Sequence, residues 1–543
     1  MVARVALSPE IGASLHVPTP FALADYEADF DTPDDLAEFR KLFAAATEGS
    51  FALDGARGDL EARSYEAVGR LVVRQSDVLI ALWDGKPGGR GGTGDIVRYA
   101  AAVGVPVVWI NTAEAAPPRW IAEPLDLVHT DGAPSDWAIA MGVWLATIVE
   151  PPKPPRRQAH GLLDRMAGWL RSKETPLERF FGERPLPDHR LWHAHRRLIA
   201  LATRSALPRV GHSRQVDGAE ADGYWYQRFA PADSRAAEYA LRYRSSYVWV
   251  FLLATVALVC GASALALAAL IGSDHEAELL VGLKSTATWV EFVCLVAVLA
   301  LVVAVKARDW HERSIEYRLL AELARKQQVL APLGWTLPIV AVRTAVGEHG
   351  TRPRDPSGWV AWLFAAWQRG APFAAGAISE DGLRHQSDTL AKLVAEQALY
   401  HRERHTVAHR ASATLERTGV FLFLAVGVFV ALKLLLGHWT HDAHGGPWDR
   451  IALLLGWAAT VLPAASAAFV GIRAYAELEL LAVQSRHMEV ELRHAAERVA
   501  RIAGGRPLAS QALGSEATAV TTLMLQDLEG WARLFRIKAA ELG

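Results

Sequence analysis

Residues 247–271 read YVWVFLLATVALVCGASALALAALI, a stretch without a single charged side chain. A membrane-spanning helix needs about 20 mostly apolar residues, so this stretch is long enough to cross a bilayer. Three further apolar runs, at about residues 287–305, 418–436 and 451–472, have a similar length. A helix that is apolar on every side over this distance is more typical of a membrane span than of a soluble core. The sequence therefore predicts four membrane-spanning helices arranged as two hairpins.

Charged residues at the ends of the runs predict their orientation. Arg242 and Arg244 precede the first run, and Lys306 and Arg308 follow the second. The basic residues that border the second hairpin are Arg402, Arg404, Arg410, Arg417 and Arg473. By contrast, the loop at 272–286 has one lysine and three acids, and the loop at 437–449 has no lysine or arginine. By the positive-inside rule we expect both termini in the cytoplasm. The location expected for the protein is a bacterial inner membrane.

Composition excludes several other classes of protein. The net charge of −2 over 543 residues gives no general attraction to nucleic acid, so no nucleic-acid partner is expected. The two cysteines, Cys260 and Cys294, both lie inside apolar runs, which argues against a disulfide framework. The lipid bilayer is the partner that the sequence predicts most directly.

Two charged residues lie inside the predicted spans. Glu291 is about one turn into the second span, and Lys433 is about one turn from the outer end of the third. Each side chain could extend separately to the membrane interface. Alternatively, they could form an interhelical ion pair or line the mouth of a pore.

The first 150 residues have a different pattern. Residues 76–83 and 105–110 are short apolar runs rich in β-forming residues, and both are predicted to be buried strands. A glycine-rich segment and a helix at 95–103 separate them. Strand, loop, helix and strand in this order predict a βαβ unit with a parallel sheet. The fold class expected is an α/β, Rossmann-like N-terminal domain followed by an all-α membrane domain.

The glycine-rich segment from Gly85 to Gly94 is the predicted ligand site. Glycines allow a ligand to approach the backbone closely, and amide groups at a helix N-terminus favour phosphate or another anion. A flexible turn without a ligand is the alternative. The predicted ligand-binding residues are Asp84, Gly85, Gly91, Gly92, Thr93 and Asp95.

The run from Tyr65 through SDVLIALWDG at 76–85, GGT at 91–93 and YAAAVG at 99–104 resembles the SLOG superfamily. The resemblance implies a Rossmann-like domain that binds a nucleotide or nucleotide-derived ligand at Asp84, Gly91, Gly92 and Thr93. Enzymatic branches of this family have a glutamate where this chain has Ile96, so the resemblance favours binding over hydrolysis. The family's first strand has no counterpart here, so we expect either that the start is truncated or that the domain has lost part of its pocket.

The remaining chain is predicted to divide at changes of composition. A proline-rich stretch at 151–157 opens a linker with short helices. The predicted regions are 1–150, 151–235, 236–330, 331–400, 401–505 and 506–543, with the hairpins in the third and fifth. Each hairpin continues into long charged helices that are expected to pack on one another or on other copies of the chain, so a homo-oligomer is predicted.

The two hairpin regions share a plan, and segments 316–323 and 475–482 look distantly alike, which suggests a duplication. Each hairpin resembles the two-helix SLATT modules that accompany SLOG sensors in bacterial conflict systems. That resemblance implies a pore-forming effector.

Two helical segments leave alternatives open. Residues 357–368 carry several aromatic side chains and form either a core helix or a helix lying in the membrane interface. His401, His405 and His409 are spaced four apart and are interpreted as a solvated face, with metal binding as the alternative.

The function expected is a membrane effector in bacterial defence, with a nucleotide-sensor-like domain that gates membrane permeabilisation or signalling. A membrane-tethered enzyme acting on nucleotides or nucleosides is one alternative. A membrane scaffold with a degenerate, ligand-free domain is another. No cofactor other than a nucleotide-derived ligand is expected.

Overall fold

The computed structural model of the protein describes residues 2–128, 136–153, 161–205, 223–271, 278–346, 358–439, 447–502 and 507–541. Part of the loop within each hairpin, residues 272–277 and 440–446, therefore lies outside the described residues. An α/β region comes first and long helices follow, as the sequence predicts.

The N-terminal region alternates short strands and helices. Its elements are α1 Val2–Ala6, β1 Val17–Thr19, α2 Leu23–Tyr26, α3 Pro33–Ala44, β2 Ser50–Ala52, α4 Glu61–Arg74, β3 Leu79–Trp83, α5 Thr93–Ala102, β4 Val107–Asn111, β5 Arg119–Ile121 and α6 Trp137–Val149. The predicted βαβ unit is confirmed as β3, α5 and β4, with β3 and β4 parallel from Leu79 opposite Val107 to Trp83 opposite Asn111. Its core is apolar, and Val97, Ala100 and Val107 are fully buried.

The described strands form two separate three-stranded sheets rather than the single sheet of a Rossmann-like fold. One sheet has the order β3-β4-β5, with β5 antiparallel. The other has β1 and β2 parallel, and its third strand is β6, Gly376–Ala377, from far along the chain. His16 also stacks on Phe373, with ring centroids 4.6 Å apart. Residues 1–150 therefore contain two of the three strands of the β1-β2-β6 sheet.

The rest of the described chain is helical. The helices are α7 Leu162–Leu170, α8 Pro176–Gly182, α9 Ala194–Thr203, α10 Tyr224–Ile271, α11 Glu278–Ala307, α12 Trp310–Leu330, α13 Ile339–Ala345, α14 Gly358–Arg369, α15 Glu380–Trp439, α16 Pro447–Tyr475, α17 Leu478–Ala500 and α18 Ala509–Glu541.

Four of the described helices, α10, α11, α15 and α16, are long and apolar enough to cross a membrane. In their most apolar segments only 11%, 11%, 6% and 6% of the residues are buried within the protein. Leu265 and Phe421, for example, are 76% and 71% exposed. Apolar surface of this extent is typical of helices that contact lipid. The prediction of four apolar helices in two hairpins is confirmed.

The two hairpins pack through α10 and α16. Trp457 donates a hydrogen bond to the Ser263 hydroxyl over 3.0 Å. Gly471 lies so close to the ring of Phe251 that a Cβ at this glycine would be 2.4 Å from a ring carbon. Small residues of this kind let helix backbones approach closely in a bilayer, where burial of apolar surface gives little driving force.

Helix boundaries in the second hairpin lie 168 residues after those in the first: Ile271 and Trp439, Ala307 and Tyr475, Trp310 and Leu478. Two residues after α11 and α16 end, each chain segment has an acidic residue with a left-handed backbone: Asp309 with φ 50° and Glu477 with φ 48°. This spacing supports an internal duplication. It also corrects the predicted alignment of 316–323 with 475–482, because the shared backbone break pairs 316–323 with 484–491 instead.

Helix α12 is the centre of the polar helical domain. Tyr317, Leu319, Leu320 and Leu323 are at most 1% exposed. Helix α14 packs on it and buries Trp359 and Phe364, with 3% and 0% of these residues exposed. The aromatic segment at 357–368 is therefore a core helix, and the alternative of an interfacial helix is wrong.

Candidate functional site

The glycine-rich loop lies between β3 and α5, where the sequence predicts it. It folds back over the start of the helix, and the Trp83 indole donates a hydrogen bond of 2.8 Å to the Lys86 carbonyl. Gly85 has φ 81° and fits against the ring of Trp109. A Cβ at Gly94 would lie 2.9 Å from the Lys86 carbonyl oxygen, so this turn requires glycine.

Both predicted acidic ligand residues bind the loop's own backbone. Asp84 accepts a hydrogen bond from the Lys86 amide over 3.1 Å, and Asp95 accepts one from the Gly91 amide over 3.1 Å. Gly92 and Thr93 lie at the start of α5 beside Asp95. A phosphate at this helix end would meet the Asp95 carboxylate, and two like charges at close range repel. In this arrangement Asp84 and Asp95 stabilise the turn of the loop.

Gly91 fixes the loop against α4. Its φ is 75°, and a Cβ here would lie 2.5 Å from the Ala62 carbonyl oxygen and 2.7 Å from the Glu66 amide nitrogen. The adjacent Arg90 pairs with the carboxylate of Glu66. The close approach that only glycine permits therefore brings the guanidinium of Arg90 over the surface of α4.

That surface forms one wall of a cleft of about 380 Å³. The α/β region contributes the basic side chains Arg63, Arg70, Arg74 and Arg90. Glu66, which pairs with Arg70 and Arg90, is the one carboxylate among the described lining residues. The volume is in the range of small-molecule sites, and several guanidinium groups around one cleft are suited to a phosphate-bearing ligand.

Two arginines that line this cleft each have a guanidinium nitrogen that forms no hydrogen bond with the described residues. Arg70 Nε and Arg74 Nη1 are buried and have no hydrogen-bond partner among the described residues. Arg74 also stacks on Trp335, with its Cζ 3.5 Å from the ring centroid. Burial lowers the pKa of Arg74. Both arginines line the cleft, so an anion bound there would be attracted by their positive charge.

The opposite wall belongs to the helical domain: Trp335, Leu508, Gln511 and Ser515 line it. The two walls are also joined directly beside the cleft. Gln75 donates a hydrogen bond of 3.0 Å to the Gly334 carbonyl, and Thr336 donates one of 2.7 Å to the Arg74 carbonyl. Gly334 follows α12 by a few residues, so a ligand in the cleft would contact both the α/β region and the chain that leads back to the apolar helices.

The sequence prediction missed the arginines on α4. Arg63, Arg70 and Arg74 have spacings of seven and four, which place them on one helical face. This basic stripe is visible in the sequence, but nothing in it indicates that Trp335 and Ser515 lie opposite. Ile96, in place of the family's catalytic glutamate, packs against α4, where a Cβ at Gly69 would be 2.5 Å from its Cδ1.

The structure does not bring Glu291 and Lys433 together. Glu291 lies on α11 against α10, where a Cβ at Gly261 would be 2.7 Å from its Oε1. Lys433 lies on α15 against α16, with its Nζ 3.1 Å from the Cβ position of Gly456. Among the described ion pairs none joins the two residues, so the alternative of an interhelical ion pair is not found there, and each side chain packs within its own hairpin.

The predicted solvated histidine face is also wrong in part. His401 is 7% exposed, and His405 Nδ1 lies 2.8 Å from the Ala482 carbonyl oxygen, while His409 is exposed. The reason is that α17 packs along this side of α15.

No family model, no curated protein and no solved structure matches the chain. The resemblances to SLOG and SLATT proteins therefore rest on the quoted motifs alone.

Proposed function

We propose that this protein is a membrane effector whose cytoplasmic α/β region binds a nucleotide-like anion in the arginine-lined cleft. The observation that carries the proposal is the composition of the cleft walls: four arginines come from the α/β region, and Trp335, Leu508, Gln511 and Ser515 come from the helical domain. A ligand that contacts both walls stabilises the arrangement of the two regions in which both contacts form. Ligand control requires such a difference in affinity between two arrangements of the protein.

A continuous stretch of chain leads from the cleft to the apolar helices along α12, over about 30 Å. Arg74 stacks on Trp335, and this tryptophan lies against Gly514 of α18, where a Cβ would be 2.2 Å from its ring. Trp335 also follows the end of α12 by five residues, and α12 begins directly after the break at Asp309 that ends α11. Tight contacts of this kind favour transmission of a change at the cleft to the second apolar helix.

The resemblance to SLOG sensors and SLATT modules supports a role in bacterial conflict systems, in which the ligand would act as a signal and the hairpins would permeabilise the membrane. The basic residues at the polar ends of the hairpins support the cytoplasmic placement of the cleft. The engagement of Asp84 and Asp95 with loop amides and the packing of Ile96 favour ligand binding over hydrolysis.

Calorimetric titration of the full chain in detergent with ATP, NAD⁺ and ADP-ribose tests the proposal. We expect at least one nucleotide to bind, and the double variant Arg63→Gln/Arg70→Gln to bind it at least about tenfold more weakly, because charge-assisted hydrogen bonds are lost. The control is Arg98→Gln, an exposed arginine of α5 outside the cleft, which should bind normally.

Residues 1–150 alone would be a poor sample, because β6 would be missing from their sheet. If none of the three nucleotides binds, or the double variant binds like the original protein, the sensor proposal is wrong and a ligand-free scaffold is the better description. Analysis of the same samples for released base or phosphate detects the enzymatic alternative.

A further inference from the structure

A second cavity, of about 260 Å³, lies in the helical domain where α10, α12, α15, α17 and α18 meet. It shares no lining residue with the arginine-lined cleft. Its end nearest the apolar helices is marked by Arg244, three residues before the first apolar run, and by His311, two residues after the break at Asp309. Lys326 and Asp527 line it further from that end.

The lining carries an excess of positive charge. Its described residues include five cations, Arg244, Arg318, Arg325, Lys326 and Arg404, against two carboxylates, Glu322 and Asp527. A single carboxylate, that of Glu322, pairs with three of the cations: its oxygens lie 2.6 Å from Arg318, 2.6 Å from Arg325 and 2.8 Å from Lys326. Arg318 has a second partner in Asp233, which lies behind it.

Arg244 and Arg404 differ from the other three cations. Neither forms an ion pair with an acidic residue in the part of the chain that the structure describes. The described hydrogen bond of the Arg404 guanidinium is to the Tyr400 hydroxyl, over 3.3 Å. Both guanidinium groups therefore retain donors that can bind an acceptor inside the cavity.

Burial makes this charge excess costly. Lys326 is 2% exposed and His401 is 7% exposed. His401 Nδ1 has no hydrogen-bond partner among the described residues. Burial lowers the pKa of Lys326 to about 8 and that of His401 to about 4, with the neighbouring arginines adding to both shifts. Uncompensated buried charge is strongly unfavourable, so an occupant that supplies negative charge would stabilise the domain.

We propose that this cavity is a binding site for a phosphate-bearing anion, with Arg244 and Arg404 as its principal ligands. Guanidinium groups bind phosphate oxygens through paired, charge-assisted hydrogen bonds, and Ser485 and Gln484 supply neutral groups on the α17 side. The volume is large for a simple halide and admits a phosphate with a small substituent. The phosphate belongs either to the headgroup of an anionic phospholipid, entering beside Arg244, or to a small soluble phosphorylated compound.

The position of the cavity gives such an anion a structural role. Helices α10 and α15 run without interruption into the first and third apolar runs, while α12 and α17 directly follow the second and fourth. An anion held between these four helices would link the polar ends of all four apolar helices. A bound anion would therefore influence the packing of the two hairpins.

The test measures the thermal unfolding midpoint of the full chain in two settings. In the first, the protein is placed in nanodiscs of phosphatidylcholine alone or with added phosphatidylglycerol. In the second, pyrophosphate is titrated onto the phosphatidylcholine nanodiscs. We expect at least one source of phosphate to raise the midpoint by several degrees, and the double variant Arg244→Gln/Arg404→Gln to lose this increase.

Without added anion, the double variant should unfold at the same temperature as the original protein or higher, because the cavity then carries three cations rather than five against its two carboxylates. A purely structural role for these arginines would instead lower the midpoint. Arg402→Gln, an exposed arginine of the same helix, is the matched control and should keep the increase. Ala240→Leu, which fills the cavity without changing its charge, provides a second variant and should also lose it.

A response to phosphatidylglycerol alone identifies a lipid headgroup, and a response to pyrophosphate alone identifies a soluble compound. The proposal is overturned if neither source raises the midpoint, or if the double variant and Ala240→Leu both respond as the original protein does. Because neither variant touches the arginine-lined cleft, nucleotide binding measured there remains a separate result.

Discussion

The Glu322→Gln variant is expected to lose roughly 3–5 kcal/mol of unfolding free energy, the range found when one partner of a buried ion pair is removed. Glu322 is 4% exposed and its carboxylate pairs with Arg318, Arg325 and Lys326. Glutamine keeps the size of the side chain but removes the negative charge. The three cations would then repel one another in a cavity where water screens them poorly.

Thermal unfolding of the purified variant in a mild detergent measures this loss. The control is Glu403→Gln, an exposed glutamate of α15, which should change the stability by less than about 0.5 kcal/mol. Adding Lys326→Met to Glu322→Gln should recover part of the loss, because an apolar side chain replaces one of the buried cations. Equal midpoints for Glu322→Gln and the original protein would show that the cavity does not depend on this carboxylate.

The Gly91→Ala variant is expected to disrupt the glycine-rich loop and weaken nucleotide binding. The left-handed backbone alone costs a non-glycine residue about 1–2 kcal/mol. The Cβ would in addition lie 2.5 Å from the Ala62 carbonyl oxygen, and this contact is to backbone that cannot rotate away. The loop would have to move from α4, and Arg90 would lose its position over the cleft.

The same calorimetric titration with ATP, NAD⁺ and ADP-ribose measures the effect, together with the unfolding midpoint. Gly89→Ala is the matched control, because it lies in the same loop and a Cβ there meets no atom within 4 Å. We expect Gly89→Ala to behave as the original protein does. If Gly91→Ala binds nucleotide equally well, the loop does not position the cleft.

Hydropathy and the residues typical of turns are sufficient to predict the local secondary-structure elements. The four apolar helices follow from runs such as 247–271, because a span must be apolar over a fixed length. The βαβ unit follows from the apolar strands on either side of the glycine-rich loop. The left-handed breaks at Asp309 and Glu477 are harder to predict, because an acidic residue at a helix end has several other uses.

Features that depend on distant pairing could not be predicted. Nothing in Gly376–Ala377 indicates a strand, since so short a segment is ordered only by pairing with Phe51 and Ala52. The sequence predicts that the arginines of α4 form a basic helix face, but it does not show that Trp335 stacks on Arg74. His401 looked solvated because its neighbours in sequence are charged, whereas the packing of α17 buries it. In each case the local sequence shows one residue of a contact, but its partner is distant in sequence and is known only from the fold.

The most direct test of ligand control over the apolar helices is potassium release from liposomes that contain the full chain. ATP, NAD⁺ or ADP-ribose is added on both sides of the membrane, and release is recorded with a potassium electrode. The account predicts that the nucleotide bound in calorimetry changes the rate of release, and that Arg63→Gln/Arg70→Gln removes the change while Arg98→Gln retains it. Release that is the same with and without the bound nucleotide would contradict the account.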